Sequence, residues 1–146
     1  IVLGSSEVMD LAEVGSMSST HSANPLCCAA GLANLKEIIE RDLVNHSNQL
    51  GLIFHKKLSE INEKFSDHIS SVQGKGLIAA LHFNSIDNKP LSDLCNQISI
   101  SCLEKGLLVV NTGRESIKLG PPLSISEEAL LEGLDVLEES IRENLP

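Results

Sequence analysis

The chain has no tryptophan and no tyrosine, and Phe54, Phe65 and Phe83 are the only aromatic residues among its 146. Any core is therefore aliphatic, built from Leu, Ile, Val and Ala. The same shortage removes the rings on which single-stranded nucleic acids stack. Positive charge is scarce as well: eleven Lys and Arg against twenty Asp and Glu give a net charge of −9, which repels a phosphate backbone. Nucleic-acid binding is excluded on both counts. No run approaches the roughly 18 consecutive apolar residues of a membrane-spanning helix. The opening IVLGSSEVMD is apolar for only three residues, lacks the basic region of a secretory signal, and reads as a strand deprived of its beginning.

Patterned ligands and nucleophiles are missing too. Cys27, Cys28, Cys95 and Cys102 have no metal-ligand spacing, and adjacent cysteines are poor disulfide partners. They read as buried free thiols in a reducing compartment, the cytoplasm. His46, His55, His68 and His82 are scattered, so no metal site is expected. The GKG at 74–76 is too short for a phosphate-binding loop, and no nucleophile elbow occurs.

What is present is an ordinary globular mixture, 42% apolar and 21% charged. A Gly/Ser-rich run, GSMSSTHS at 15–22, precedes Asn24-Pro25, a good cap followed by a residue suited to the first helical position. Apolar residues from Leu26 to Ile39 then recur at helical period. A second helix is expected over about 42–65, with Leu50, Phe54, Leu58, Ile61 and Phe65 on one face. ISSVQGKGLIAALHF at 69–83 reads as strand–turn–strand, and Asp87, Asn88 and Pro90 as a loop. A third helix is expected at about 92–105, presenting Leu94, Ile98 and Cys102 and stopping at Gly106. Strands LLVVN at 107–111 and SIKLG follow, and then a helix over 126–143 burying Leu130, Leu134, Leu137 and Ile141. Seven of the twenty acids lie on that last helix, so much of the negative charge is a solvated face. The second part is thus a small α+β domain, its mixed or antiparallel sheet covered by helices on one face. The first part has no sheet to pack on.

Two places carry chemistry. Hydroxyls of Ser16, Ser18, Ser19, Thr20 and Ser22, with His21, run up to a helix N-terminus, a natural setting for a phosphate. The competing reading is a polar loop that merely caps its helix. In NTGRESIKLGPPL at 111–123, Arg114 and Lys118 could bind a carboxylate, or could be two surface cations beside Glu115.

At these residues the sequence resembles a known family. IVLGSSEVMD, GSMSSTHSANPLCCAAGLANLKEI, SVQGKGLIAALHF, EKGLLVVN and SIKLGPPLSISEEALLEGLDVLEESI, in this order, are similar to the C-terminal part of class III pyridoxal-phosphate (PLP)-dependent aminotransferases. These are the ornithine, acetylornithine and 4-aminobutyrate aminotransferase relatives. The resemblance implies an α/β, fold-type I enzyme acting as a homodimer, with an amino donor and a 2-oxo acid as substrates. Residues 1–45 would be a remnant of its large PLP-binding domain, and 46–146 the connecting helix and small domain. It implies that Thr20 reaches the phosphate of the neighbouring subunit's PLP, with Ser19 beside it. The position of Lys118 usually holds an arginine that grips a substrate carboxylate; lysine cannot offer its two-pronged fork, and Arg114 is the alternative holder. His21 stands where an aromatic is common and would line the pocket. The Schiff-base lysine is expected upstream of Ile1, since no lysine here matches it, and the chain alone is expected to be inactive. Two further readings stay open: a same-fold aminomutase or racemase, and a non-catalytic dimerisation or folding module.

Overall fold

The structure is a computed structural model that describes residues 2–84 and 91–145. The loop expected at Asp87, Asn88 and Pro90 lies outside the described residues. Contacts divide the chain after Ile38 into two units. The first holds a short helix α1 (Ser6–Met9), a long polar loop and most of α2 (Pro25–Glu40). Leu26, Leu32 and Leu35 of α2 are exposed, and neither helix buries a residue. Within residues 1–38 the apolar stripe of α2 therefore finds no core.

The second unit contains α3 (Leu43–Lys64), β1 (Ile69–Lys75), β2 (Ile78–Phe83), α4 (Leu91–Glu104), β3 (Val110–Asn111), β4 (Ser116–Leu119) and α5 (Glu127–Asn144). The four strands form one wholly antiparallel sheet in the order β1-β2-β4-β3. Period-two alternation decides its faces. Ala79, Leu81 and Phe83 of β2, with Ile117 and Leu119 of β4, are buried, while Lys118 between the latter two is exposed. All three helices press on the buried face. Leu50, Phe54, Leu58 and Ile61 of α3, Cys95, Ile98 and Cys102 of α4, and Leu130, Leu134, Leu137 and Ile141 of α5 complete a single core. The mixed-or-antiparallel alternative resolves to antiparallel.

Three local expectations are corrected. On α4 it is Cys95, beside the half-buried Leu94, that occupies the centre of the core. Of the strand expected at 107–111, only Val110 and Asn111 pair with β4. The Leu107 N–H instead donates to the Cys102 carbonyl at 2.8 Å, so the chain leaves α4 in a helix-end turn. The thiols also divide: Cys95 and Cys102 are buried, but Cys27 and Cys28 are exposed because α2 has no core against which to pack. Burial, with a smaller contribution from the Glu115 charge, pushes the Cys95 thiol up to about 11, which leaves it inert at neutral pH.

Charge ties α5 to α3. Glu138 is only 7% exposed, and its carboxylate accepts from Lys64 Nζ at 2.9 and 3.1 Å and from Arg142 at 2.7 Å. Lys57 lies 3.5 Å from the same carboxylate and 2.8 Å from Asp135. Burial raises the Glu138 pKa, but the hydrogen bond and charge of Lys64, with the charge of Lys57, outweigh it and hold the carboxyl below the ordinary glutamate range. A carboxyl depressed by folding stabilises the fold above its unfolded pKa, about 4.3, and loses that contribution as pH falls through the folded value. Glu138→Gln should therefore lower stability at neutral pH and flatten its decline in acid. Urea unfolding of both proteins from about pH 6 down to 3 measures this; identical acid slopes would contradict it.

Two glycines set how closely α3 approaches the β1–β2 hairpin. Gly76 opens a two-residue turn at φ 57°, and a Cβ on Gly51 would stand 2.8 Å from Gly76 Cα and 3.0 Å from its carbonyl oxygen. Those neighbours are backbone and cannot swing aside. On α5, a Cβ on Gly133 would meet only the Leu107 Cδ1 at 3.3 Å, a flexible side-chain end. The same substitution should therefore have opposite signs. Gly51→Ala should destabilise by about 1–3 kcal/mol through overpacking. Gly133→Ala should stabilise by up to about 1 kcal/mol through helix propensity. Denaturant midpoints check both, and a shift of the same sign in the two variants would refute this packing.

Candidate phosphate loop and carboxylate site

Residues 16–24 gather the first group of candidate side chains on one exposed loop. Ser22 Oγ accepts from the Ser19 N–H at 3.1 Å and lies 3.1 Å from the Ser19 hydroxyl, while the Ser22 N–H donates to the Ser19 carbonyl at 3.0 Å. The Ser19 N–H is thereby committed within the loop, and its hydroxyl is paired with that of Ser22, either of which can donate. Thr20 is uncommitted: among the described residues neither its hydroxyl nor its N–H has a hydrogen-bond partner. His21 is exposed, and among the described residues its ring likewise has no hydrogen-bond or ion-pair partner.

The end of α2 contributes less than the sequence reading expects. Asn24 Oδ1 accepts from the N–H of Leu26 at 2.9 Å and of Cys27 at 3.4 Å, and the Asn24 carbonyl accepts from Cys28. Pro25 has no N–H, so the first turn of the helix has no free donor to offer an anion. Ala23, just before this cap, is held at φ 57°, a left-handed conformation that costs a non-glycine residue about 1 kcal/mol. A phosphate fits this loop through the free Thr20 hydroxyl and N–H, both of which donate. The helix end adds no further donor. Asn24→Ala should weaken the start of α2 by about 0.5–2 kcal/mol, read as faster amide exchange at Leu26 and Cys27; unchanged protection at both would show that the cap does not hold the turn.

Arg114 and Lys118 share a second segment. The β3–β4 connection is closed by Thr112, whose N–H and hydroxyl both reach the Ser116 carbonyl at 3.2 Å and whose hydroxyl lies 2.8 Å from Ser116 Oγ. Gly113, at φ 75°, donates to Asn111 Oδ1 at 2.9 Å, which turns the chain so that Arg114 stands at the loop tip. Lys118 lies on β4 opposite Ala80 of β2 and Val110 of β3, on the sheet face away from the helices. Both cations are exposed and neither has an ion pair among the described residues. The roles of Asn111, Thr112, Ser116 and Ser22 in shaping these loops carry no sequence signal beyond their polarity.

Among the described residues no helix is long and apolar enough to cross a membrane. The family model for class-III aminotransferases matches residues 1–141. The chain is 37% identical over 147 residues to the mitochondrial ornithine aminotransferase of Arabidopsis thaliana, covering 99% of this chain and 30% of that protein. It is 31% identical to the alanine/serine racemase of Pyrococcus horikoshii, covering 99% of this chain and 30% of the relative. Among solved structures, an acetylornithine aminotransferase from Elizabethkingia anophelis superposes with a TM-score of 0.80 at 34% identity, covering 97% of this chain and 34% of its own. The chain thus spans about a third of the length of the relatives it matches. Class-III aminotransferases are PLP enzymes. By its fold and its family match, this chain belongs to the class-III aminotransferase family.

Proposed function

We propose that the chain serves a PLP-dependent aminotransferase that moves an amino group from an amine or amino acid to a 2-oxo acid. When bound, PLP supplies the electron sink for bond breaking at the amino-bearing carbon. The residues of this chain bind and orient. The Thr20 hydroxyl and N–H donate to the phosphate, across a homodimer interface, and Ser19 supports Thr20 through its bond to Ser22. His21 lines the pocket. Arg114, as a fork, and Lys118, as a point charge, offer the two cations that could hold a substrate carboxylate. Residues 1–45 bring the phosphate loop and its helix, and 46–146 the small domain. The 146 residues alone do not transaminate, because no lysine among them matches the one that carries PLP. The free thiols support a reducing compartment, the cytoplasm.

One observation carries this reading: in a chain of this family, the Thr20 hydroxyl and N–H are both without a hydrogen-bond partner among the described residues. A hydrogen bond to a charged group is worth about 1.5–3 kcal/mol, roughly 10- to 100-fold in affinity. In a polypeptide carrying the whole enzyme, Thr20→Ala should weaken PLP retention by about that factor while changing substrate KM less. Unchanged PLP affinity would sink the role. The kinship with a racemase supports a second reading, the same cofactor used without net transfer. Dependence of product on an added 2-oxo acid separates the two.

A further inference from the structure

The helices pack on one face of the sheet, and on the other Ile78, Val110 and Lys118 are exposed. No residue of the four strands is acidic, although the chain carries a net charge of −9. Glu115, just before β4, acts instead on the buried Cys95 thiol, on the helix side. His82 stands between the buried Leu81 and Phe83, so period-two alternation turns its side chain to the outer face. It is half-buried there, and among the described residues its ring has no hydrogen-bond or ion-pair partner. Lys118 is equally uncommitted. Lys57, Lys64 and Lys105 each pair with a carboxylate, whereas among the described residues Lys118 pairs with none.

Register brings these two groups together. Lys118 lies directly opposite Ala80, and His82, two residues further along β2, lies opposite Ser116. Diagonal positions of this kind are roughly 7–8 Å apart, within reach of a long side chain. Ala80, at the corner between them, is too small to fill the space. A lysine alone offers a carboxylate a single point charge, and a ring N–H beside it supplies a second donor. A strand in the middle of a sheet also holds its side chains more precisely than the loop tip that carries Arg114.

We infer that His82 is a specificity-determining residue: with Lys118 it grips the carboxylate of a 2-oxo acid, its ring N–H donating to one oxygen and Lys118 Nζ to the other. The inference rests on the aminotransferase reading and assigns the grip to Lys118 rather than to Arg114. In the sequence the two residues stand thirty-six positions apart, and His82 is one of several scattered histidines.

The test uses a polypeptide carrying the whole enzyme with PLP bound. KM and kcat are measured with the faster of pyruvate and 2-oxoglutarate as acceptor. The Kd of glutarate, a dicarboxylate with no reactive carbonyl, is read by titration calorimetry. His82→Ala and Lys118→Ala should each raise the acceptor KM and the glutarate Kd roughly tenfold, the effect of losing one hydrogen bond to a charged group. The kcat should change less than about twofold, as expected for lost uniform binding, and the melting temperature should be preserved. His82→Gln, which keeps an N–H donor, should recover most of the loss. In an enzyme that still turns over, a KM and Kd indifferent to His82→Ala would overturn the inference. So would a loss that His82→Gln does not recover, or a KM raised by Arg114→Ala and not by Lys118→Ala. A polypeptide that retains no PLP, recognised by its missing visible absorbance, would end the aminotransferase reading and this inference with it.

Discussion

The second unit depends on two backbones touching where side chains would forbid it. Gly51 lets α3 settle onto Gly76, and the distance available there is too short for any Cβ. That contact fixes the height and position of α3 above the sheet. From this position Phe54, Leu58 and Ile61 meet Leu81 and Ile117 in a core that has only three phenylalanines to draw on. The close approach lets the mostly aliphatic side chains, with Phe54 and Phe83, pack without gaps. With α3 placed, Glu138 of α5 can gather Lys57, Lys64 and Arg142 around one nearly buried carboxylate. Packing comes first, and the charge cluster follows from it.

In the 16–24 loop the governing factor is the supply of hydrogen-bond donors. Asn24 occupies the first turn of α2, and Ser22 occupies Ser19. Each internal bond that shapes the loop removes a donor that could have met a ligand. Among the described residues Thr20 is left with both hydroxyl and N–H free, alongside the side-chain hydroxyls of Ser16 and Ser18. The strained Ala23 lies between the Ser19–Ser22 turn and the cap, where a chain reversal must be made within a few residues. Shape and recognition in this loop therefore draw on the same few polar groups. The β3–β4 connection works in the same way, with Thr112 and Ser116 closing the loop and leaving Arg114 uncommitted at its tip.

Elements whose signal is local were legible in the sequence. The three- and four-residue spacing of Leu50, Phe54, Leu58 and Ile61 placed a helix at about 42–65, and it spans Leu43–Lys64. Asn24-Pro25 marked the start of α2, and Gly106 ended the turn after α4. What escaped was non-local or competitive. Nothing near Gly51 announces Gly76, because their meeting is decided by tertiary packing across twenty-five positions. LLVVN has the composition of a strand, yet its first residues are drawn into the end of α4 by a single carbonyl, that of Cys102. Unpatterned cysteines suggested buried thiols, but burial of Cys27 and Cys28 needs a partner surface for α2. For the candidate site, the residue types and the loop were readable, whereas the sharing of donors between Ser19, Ser22 and Thr20 was not.

The account rests on Thr20 being the group that meets a phosphate. The most direct measurement is a high-resolution structure of the complete polypeptide with PLP bound, in which the distance from Thr20 Oγ1 to the nearest phosphate oxygen is read. A separation of about 2.5–3.0 Å, with Ser19 still bonded to Ser22, is the predicted result. A phosphate held elsewhere, with Thr20 Oγ1 beyond about 3.5 Å and no water bridging the gap, would contradict it.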